Sequence, residues 1–250
     1  MRALVLAAGF GVRLRPLTND RPKALVEIQG HTLLEIALLR LRTAGVHDVI
    51  VNVHHFGEMV VEFLRSHDNF GMHVQISREE VLLDTGGALK KAAHFFQERD
   101  AVRDEPFILH NVDVLSTIDL GKMVRFHIES GALATLAVQE RETSRYLLFD
   151  GHARLCGRRS GRDGTPEIVR ASDSLQALAF TGIHIISPRI LSMLGDQDVF
   201  PIIGAYLRLA GRGEKILAFR ADEYYWRDLG RPESVAQASH EIAEGKYSIG

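Results

Sequence analysis

The 250-residue chain is 46% apolar, enough to fill a core, and its length fits one large domain or two small ones. Lysine and arginine total 30 against 32 aspartates and glutamates, so the formal net charge of −2 excludes a general nucleic-acid binder and confines any cationic function to a local site. A single cysteine, Cys156, excludes an intrachain disulfide framework and a cysteine-only metal cluster.

In chain order, Leu4 to Ala8 is a short apolar run ending in glycine, the pattern of a buried parallel strand. Thr32, with Glu35 three residues on, forms a capping box for a helix that carries Leu33 to Leu41 and stops at Gly45. Val49 to Val53 predicts a strand, Gly57 to Ser66 a helix, and His73 to Ile76 a strand. Gly86 and Gly87 open a helical stretch to about Phe96. Pro106 to His110 predicts a strand running into Asn111-Val112-Asp113. Asp119 caps a helix ending near Gly131, and Leu133 to Val138 is a strand.

The second part is less regular. Tyr146 to Phe149 and Ala153 to Cys156 predict a hairpin about Asp150-Gly151, forming a lobe over the edge of the sheet. Gly157 to Pro166 is polar and predicts a loop. Leu178 to Ile186 predicts a strand, Ser187-Pro188 a helix start, Pro201 to Ala210 a helix and Ile216 to Phe219 a strand. Tyr225 to Gly230 precedes a helix from Pro232. The alternation predicts a three-layer α/β/α, Rossmann-like domain around a twisted, mostly parallel mixed sheet, with its cleft over the carboxyl ends of the strands. No stretch has the length to cross a bilayer, and the opening apolar run is too short for a signal peptide. The expected setting is the cytoplasm, as a monomer or small homo-oligomer without nucleic-acid or membrane partners.

Chemistry concentrates between Ala7 and Leu25. Gly9 and Gly11 follow the first strand and let the backbone approach a bulky anion. Arg13, Arg15, Arg21 and Lys23 come next, and residues 1–28 hold five cations against two acids. A dinucleotide fingerprint needs glycine where Leu14 stands, and a P-loop needs a Gly-Lys-Ser/Thr that is absent. Glycines alone would fit an ordinary turn; joined to these cations they favour phosphate binding. Asp113 follows an apolar strand and faces the same sheet edge, and Asp228 precedes Gly230. Either aspartate alone fits a cap or turn residue.

The run Leu6-Ala7-Ala8-Gly9-Phe10-Gly11-Val12-Arg13-Leu14-Arg15-Pro16-Leu17-Thr18, followed by Arg21-Pro22-Lys23-Ala24-Leu25, resembles the signature of sugar-1-phosphate nucleotidyltransferases. The resemblance covers nearly the whole chain in order. It implies transfer of a nucleoside monophosphate from an NTP to a sugar 1-phosphate, with pyrophosphate released by direct in-line displacement. It implies that Arg13 holds the β/γ-phosphates and Lys23 the α-phosphate, and that Asp113 and Asp228 bind Mg²⁺. Ala8, Gly9, Gly11 and the Thr85-Gly86-Gly87 helix start fall to the nucleotide, with Asn111 beside them. The family's glycine before the metal aspartate is Val112 here, which adds a side chain beside the ribose or sugar. Its Glu-Lys-Pro triplet is missing. Arg158 or Arg159 can replace that lysine on the sugar phosphate, or belong to a solvated basic loop. Thr181 and Gly182 resemble the sugar-pocket strand.

The resemblance thus implies a single domain over 1–250, with about 1–140 the nucleotide-binding half and 141–250 the sugar-phosphate half. The chain most resembles the compact bacterial members, of the N-acetylmuramate-1-phosphate uridylyltransferase type, which favours UTP over GTP, dTTP and CTP. Two alternatives stand beside this reading. One is a cytidylyltransferase for a phosphocholine-like acceptor; the other is a non-catalytic nucleotide-binding regulator of the same fold.

Overall fold

Alternation along β1 (Arg2–Leu6) sets the layering: Ala3 and Val5 face one core and Leu4 the other. The computed structural model describes residues 1–97 and 105–249. Two 3-10 turns follow β1, at Val12–Leu14 and Lys23–Leu25, then a minimal hairpin of β2 (Glu27–Ile28) and β3 (His31–Thr32). α1 (Leu33–Thr43) begins with the expected capping box: Glu35 N–H donates to Thr32 Oγ1 at 3.1 Å, and Thr32 N–H to the Glu35 carboxylate. Next come β4 (Asp48–Val53), α2 (Gly57–Ser66), β5 (His73–Arg78), α3 (Asp84–Lys91) and α4 (Ala93–Gln97). The expected single helix to Phe96 is therefore two, divided at Ala92. β6 (Phe107–Asn111) and β7 (Val114–Ser116) flank Asp113. α5 (Leu120–Ser130) is capped by Asp119, whose carboxylate accepts from Lys122 N–H at 2.8 Å, and β8 (Ala134–Gln139) follows.

The remainder comprises β9 (Arg145–Phe149), β10 (Leu155–Ser160), β11 (Glu167–Ile168) and β12 (Gln176–Ile186), then a 3-10 turn at Pro188–Met193. α6 (Ile202–Gly211), β13 (Ile216–Arg220), β14 (Trp226–Asp228) and α7 (Pro232–Ala243) complete it. Ten strands form one mixed sheet in the order β11-β10-β9-β12-β6-β1-β4-β5, with β8 on the far edge of β12 and β13 beside β8. The strands β6, β1, β4 and β5 run parallel, and β12 joins β6 antiparallel. One core packs α1, α2, α5 and α7 against the sheet; the other packs α3, α4 and α6. These are the three expected layers.

Two local expectations need correction. The stretch 157–166 is not all loop, because β10 runs on to Ser160 and β11 pairs with it. Polar side chains do not prevent pairing at a sheet edge: Arg158 stands opposite Glu167, and Arg159 opposite Tyr146. Nor do β9 and β10 form a lobe over the sheet; β9 hydrogen-bonds to β12 and extends it. Their turn is held by the Asp150 carboxylate, which accepts from His152 N–H and Arg154 N–H, both at 2.9 Å, while Ala153 takes φ +60°.

Candidate active site

The site lies where β1 and β6, adjacent parallel strands, end together. Beyond β1, Ala7 N–H donates to Asn52 Oδ1 at 2.6 Å, fixing the start of the glycine loop to β4. Gly11 takes φ +63°, and a Cβ there would come within 2.9 Å of Thr18 Cγ2 and 3.2 Å of Lys23 Cβ. Its carbonyl accepts from Thr18 Oγ1 and Leu14 N–H, both at 2.8 Å. This bend folds the Arg13 turn and the Lys23 turn back over the strand ends. Gly9 is open, with nothing within 4 Å of the place a Cβ would take.

Beyond β6, Asp113 is 6% exposed and its Oδ2 pairs with Lys23 Nζ. β14 pairs antiparallel with β7, setting Asp228 opposite Val114, and Leu229 N–H donates to Asp113 O at 2.8 Å. The two aspartates, 115 residues apart in sequence, therefore sit side by side. Burial pushes the Asp228 carboxyl upward, and the Asp113 charge adds to it. The Gly230 N–H, Lys23 and Arg13 oppose that rise, the first by a 2.9 Å hydrogen bond to Asp228 Oδ1. Arg13 Nη2 lies 3.0 Å from the place of a Gly230 Cβ, so its guanidinium closes the group. Two carboxylates and two cations converge here. Two neighbouring carboxylates at the end of the sheet fit a hard divalent cation, which needs only one or two protein carboxylates beside phosphate oxygens.

Val112 does not crowd this group. It is 3% exposed, packs in the core, and its N–H donates to Leu6 O at 3.1 Å. Asn111 ends β6 with its amide against Gly182. Other singled-out residues have partners within the fold. The Thr181 hydroxyl donates to Ala137 O at 2.8 Å. The Thr85 hydroxyl accepts from Ile202 N–H at 2.9 Å, tying α3 to α6. Gly86 and Gly87 N–H both donate to Phe200 O, at 2.9 and 3.3 Å, so these amides are not free for a base edge. Arg158 is exposed and paired with Glu167 at 2.6 Å. Arg159 is half-buried, with its guanidinium carbon 5.6 Å from the Tyr146 ring centre.

One site-forming cation was not evident in the sequence. Arg141 follows β8 in Glu140-Arg141-Glu142, three charged residues in a row. Its guanidinium stacks 3.7 Å over the Trp226 ring, and Nη2 donates to Phe180 O at 2.9 Å. Trp226 in turn donates from Nε1 to Thr181 O at 2.7 Å. Burial lowers the affinity of Arg141 for its proton, while the Asp228 charge counters this. Only the fold brings it near Asp228.

The mixed sheet with helices on both faces, ending in a glycine bend beside two carboxylates, places the chain in the α/β class. The family described as Nucleotidyl transferase matches residues 2–149, and the chain belongs to that family. It is 34% identical over 252 residues to an N-acetylmuramate alpha-1-phosphate uridylyltransferase of Caulobacter vibrioides, covering 97% of each. It is 28% identical to a UTP–glucose-1-phosphate uridylyltransferase of Synechocystis, over 95% of this chain but 62% of that longer relative. Among solved structures it is similar to HddC from Yersinia pseudotuberculosis complexed with GMP-PN, at 22% identity and TM-score 0.74, over 96% of this chain and 99% of that one. It also resembles UDP-glucose pyrophosphorylase complexed with UDP-glucose, at 18% identity and TM-score 0.76, over 98% of both. Those two establish the fold. Among the described residues no helix is long and apolar enough to cross a membrane.

Proposed function

We propose that the chain transfers a nucleoside monophosphate, uridylyl by preference, from an NTP to a sugar 1-phosphate and releases pyrophosphate. The observation that carries this reading is the convergence of Arg13, Lys23, Asp113 and Asp228 over the ends of β1 and β6. The preference for UTP rests on the 34% identical uridylyltransferase. A phosphate oxygen of the sugar 1-phosphate bonds to the α-phosphorus as the α–β bridging bond breaks in line. No bond to the protein forms.

Phosphoryl transfer between two anions needs positioning and charge neutralisation more than a protein nucleophile. Lys23 supplies a compact charge for the α-phosphate, exchanging Asp113 for phosphate oxygens as substrate enters. Arg13 steadies the departing pyrophosphate. The backbone of Ala8, Gly9 and Gly11 borders the nucleotide. Asp113 and Asp228 would hold Mg²⁺, which neutralises phosphate oxygens and aligns them. The same reading makes residues 1–250 one domain, with both halves facing one cleft.

A matrix of UTP, GTP, dTTP and CTP against sugar 1-phosphates, read by pyrophosphate release and product mass, tests the proposal. UTP should give the fastest Mg²⁺-dependent turnover, and chelation should abolish it. Lys23→Ala should lower kcat by about 10²–10³, the loss typical of a preorganised charge. Unchanged turnover in that variant, or nucleotide binding without product on any acceptor, would overturn the assignment.

A further inference from the structure

β14 carries Asp228 but stands outside the ten-stranded sheet. Among the described residues it pairs with β7 alone, in a two-stranded sheet of its own. That ladder of three residues holds the strand along one edge. Alternation sends Arg227 to Glu241 on α7 and puts Trp226 and Asp228 on the opposite face. On that face the ties are side chains. Trp226 Nε1 donates to Thr181 O at 2.7 Å. The Arg141 guanidinium covers the same ring at 3.7 Å and donates from Nη2 to Phe180 O at 2.9 Å. Two successive carbonyls of β12 thus hold one ring and the cation stacked on it.

Their place on β12 matters. The register against β8 shifts between Phe180 and His184, and Gly182 takes φ +84° within that break. A Cβ at Gly182 would meet Asn111 and Val114, which bracket Asp113. One kink therefore abuts the chain two residues before Asp113 and, through Trp226, the chain two residues before Asp228. Irregularities of this kind re-aim neighbouring side chains. Ion pairing does not explain where Arg141 sits. Among the described residues it has no carboxylate partner, whereas Glu140 pairs with Arg220 at 3.3 Å and Glu142 with Arg162 at 3.2 Å. A guanidinium can stack on a ring and donate in its own plane at once, which an ammonium cannot.

We propose that Arg141 and Trp226 are positioning residues: stacked together and tied to the β12 kink, they set Asp228 beside Asp113 so that both carboxylates reach one Mg²⁺. Naming that ion rests on the transferase reading above. In this role neither residue touches substrate. Groups that orient a metal ligand change metal affinity or activity by about 10–100-fold when removed.

Trp226 is the sole tryptophan of the chain, so its emission reports on this position directly. The test titrates Mg²⁺ into protein saturated with a non-hydrolysable UTP analogue and follows that emission. It also measures the Mg²⁺ dependence of UTP turnover with glucose 1-phosphate and N-acetylmuramate 1-phosphate. Arg141→Ala should raise the Mg²⁺ half-saturation about tenfold or more by both readouts, with the acceptor KM within threefold. Arg141→Lys, which keeps the charge but not the planar stack, should fall between. Trp226→Phe keeps a ring and loses the Nε1 donor, and should raise the half-saturation in turnover. These two milder variants carry the test if Arg141→Ala does not fold. Glu142→Gln, which removes the neighbouring surface pair, should stay within twofold. A wild-type emission indifferent to Mg²⁺ overturns the proposal. So does a lower urea midpoint in the variants with Mg²⁺ half-saturation unchanged, which would make the stack structural only. A rise in acceptor KM without a Mg²⁺ shift overturns it too. In each of these cases product formed by the wild type leaves the transferase standing. No product on any acceptor, with the emission titration still weakened in Arg141→Ala, overturns the transferase and leaves the positioning role standing.

Discussion

Gly182 interrupts β12 with φ +84°, and a Cβ there would sit 2.7 Å from Asn111 Nδ2 and 3.0 Å from Val114 Cγ2. The register against β8 shifts between Phe180 and His184 around it. The missing side chain makes room for Asn111, two residues before Asp113, rather than opening directly on a ligand. Gly182→Ala adds left-handed strain and pushes the end of β6, at a cost of about 1–3 kcal/mol. We expect a lower unfolding midpoint in urea and reduced turnover, because Asp113 moves with Asn111. A variant with wild-type stability and rate would contradict this account. At this scale legibility followed motif continuity. Arg13 and Lys23 stood out as cations clustered after a glycine turn, whereas Asp113 alone read as a cap or turn residue and was brought forward by the resemblance. Arg141 was not, since its significance comes from Trp226, 85 residues away in sequence.

Among the elements, β14 is only three residues long, yet it delivers Asp228. Its anchor on the outer side is α7. Glu241 on α7 is 7% exposed and accepts from Tyr225 Oη at 2.6 Å, from Arg227 Nε at 2.8 Å and from Gln237 Nε2 at 3.0 Å. Burial raises the Glu241 pKa, but these donors outweigh it and bring the group down to about 2. The folded value lies below the ordinary 4.5, so the contribution is complete above pH 4.5 and is lost as pH falls toward 2. Glu241→Gln should destabilise the protein by about 1–3 kcal/mol at pH 7, as charged hydrogen bonds are lost. The gap from wild type should hold down to pH 4.5 and narrow below it; a gap constant through pH 3 would refute the linkage. Capped helices such as α1 and α5 were legible because their signals are local. The path of β10 was not, because strand pairing at an edge depends on the backbone of β9 and β11 more than on polar side chains.

Across the whole molecule, the parallel core was legible from its apolar runs, but the buried His184 inside it was not. His184 on β12 is 1% exposed, and its Nδ1 lies 2.8 Å from Tyr206 Oη on α6. Burial, then the His110 charge, push its pKa down to about 3. His110 itself, on β6, is driven to about 4 by burial and by Arg40, with the Asn111 carbonyl and Asp113 opposing. Both rings are therefore neutral in the folded protein at pH 7, while an unfolded chain protonates them near 6.5. Because the unfolded state binds more protons below that value, stability must fall as pH drops from 6.5 toward 3. Each buried histidine contributes a slope of up to about 1.4 kcal/mol per pH unit. Urea unfolding at pH 7, 6 and 5 should show this fall before most carboxylates titrate. His184→Gln keeps an acceptor for Tyr206 and removes one titrating ring, so its stability should fall less steeply over the same interval. Parallel slopes for variant and wild type would show that His184 does not carry the effect. The expected consequence is structural: acid should weaken the sheet from its interior, at β12 and at β6, the strand that leads to Asp113.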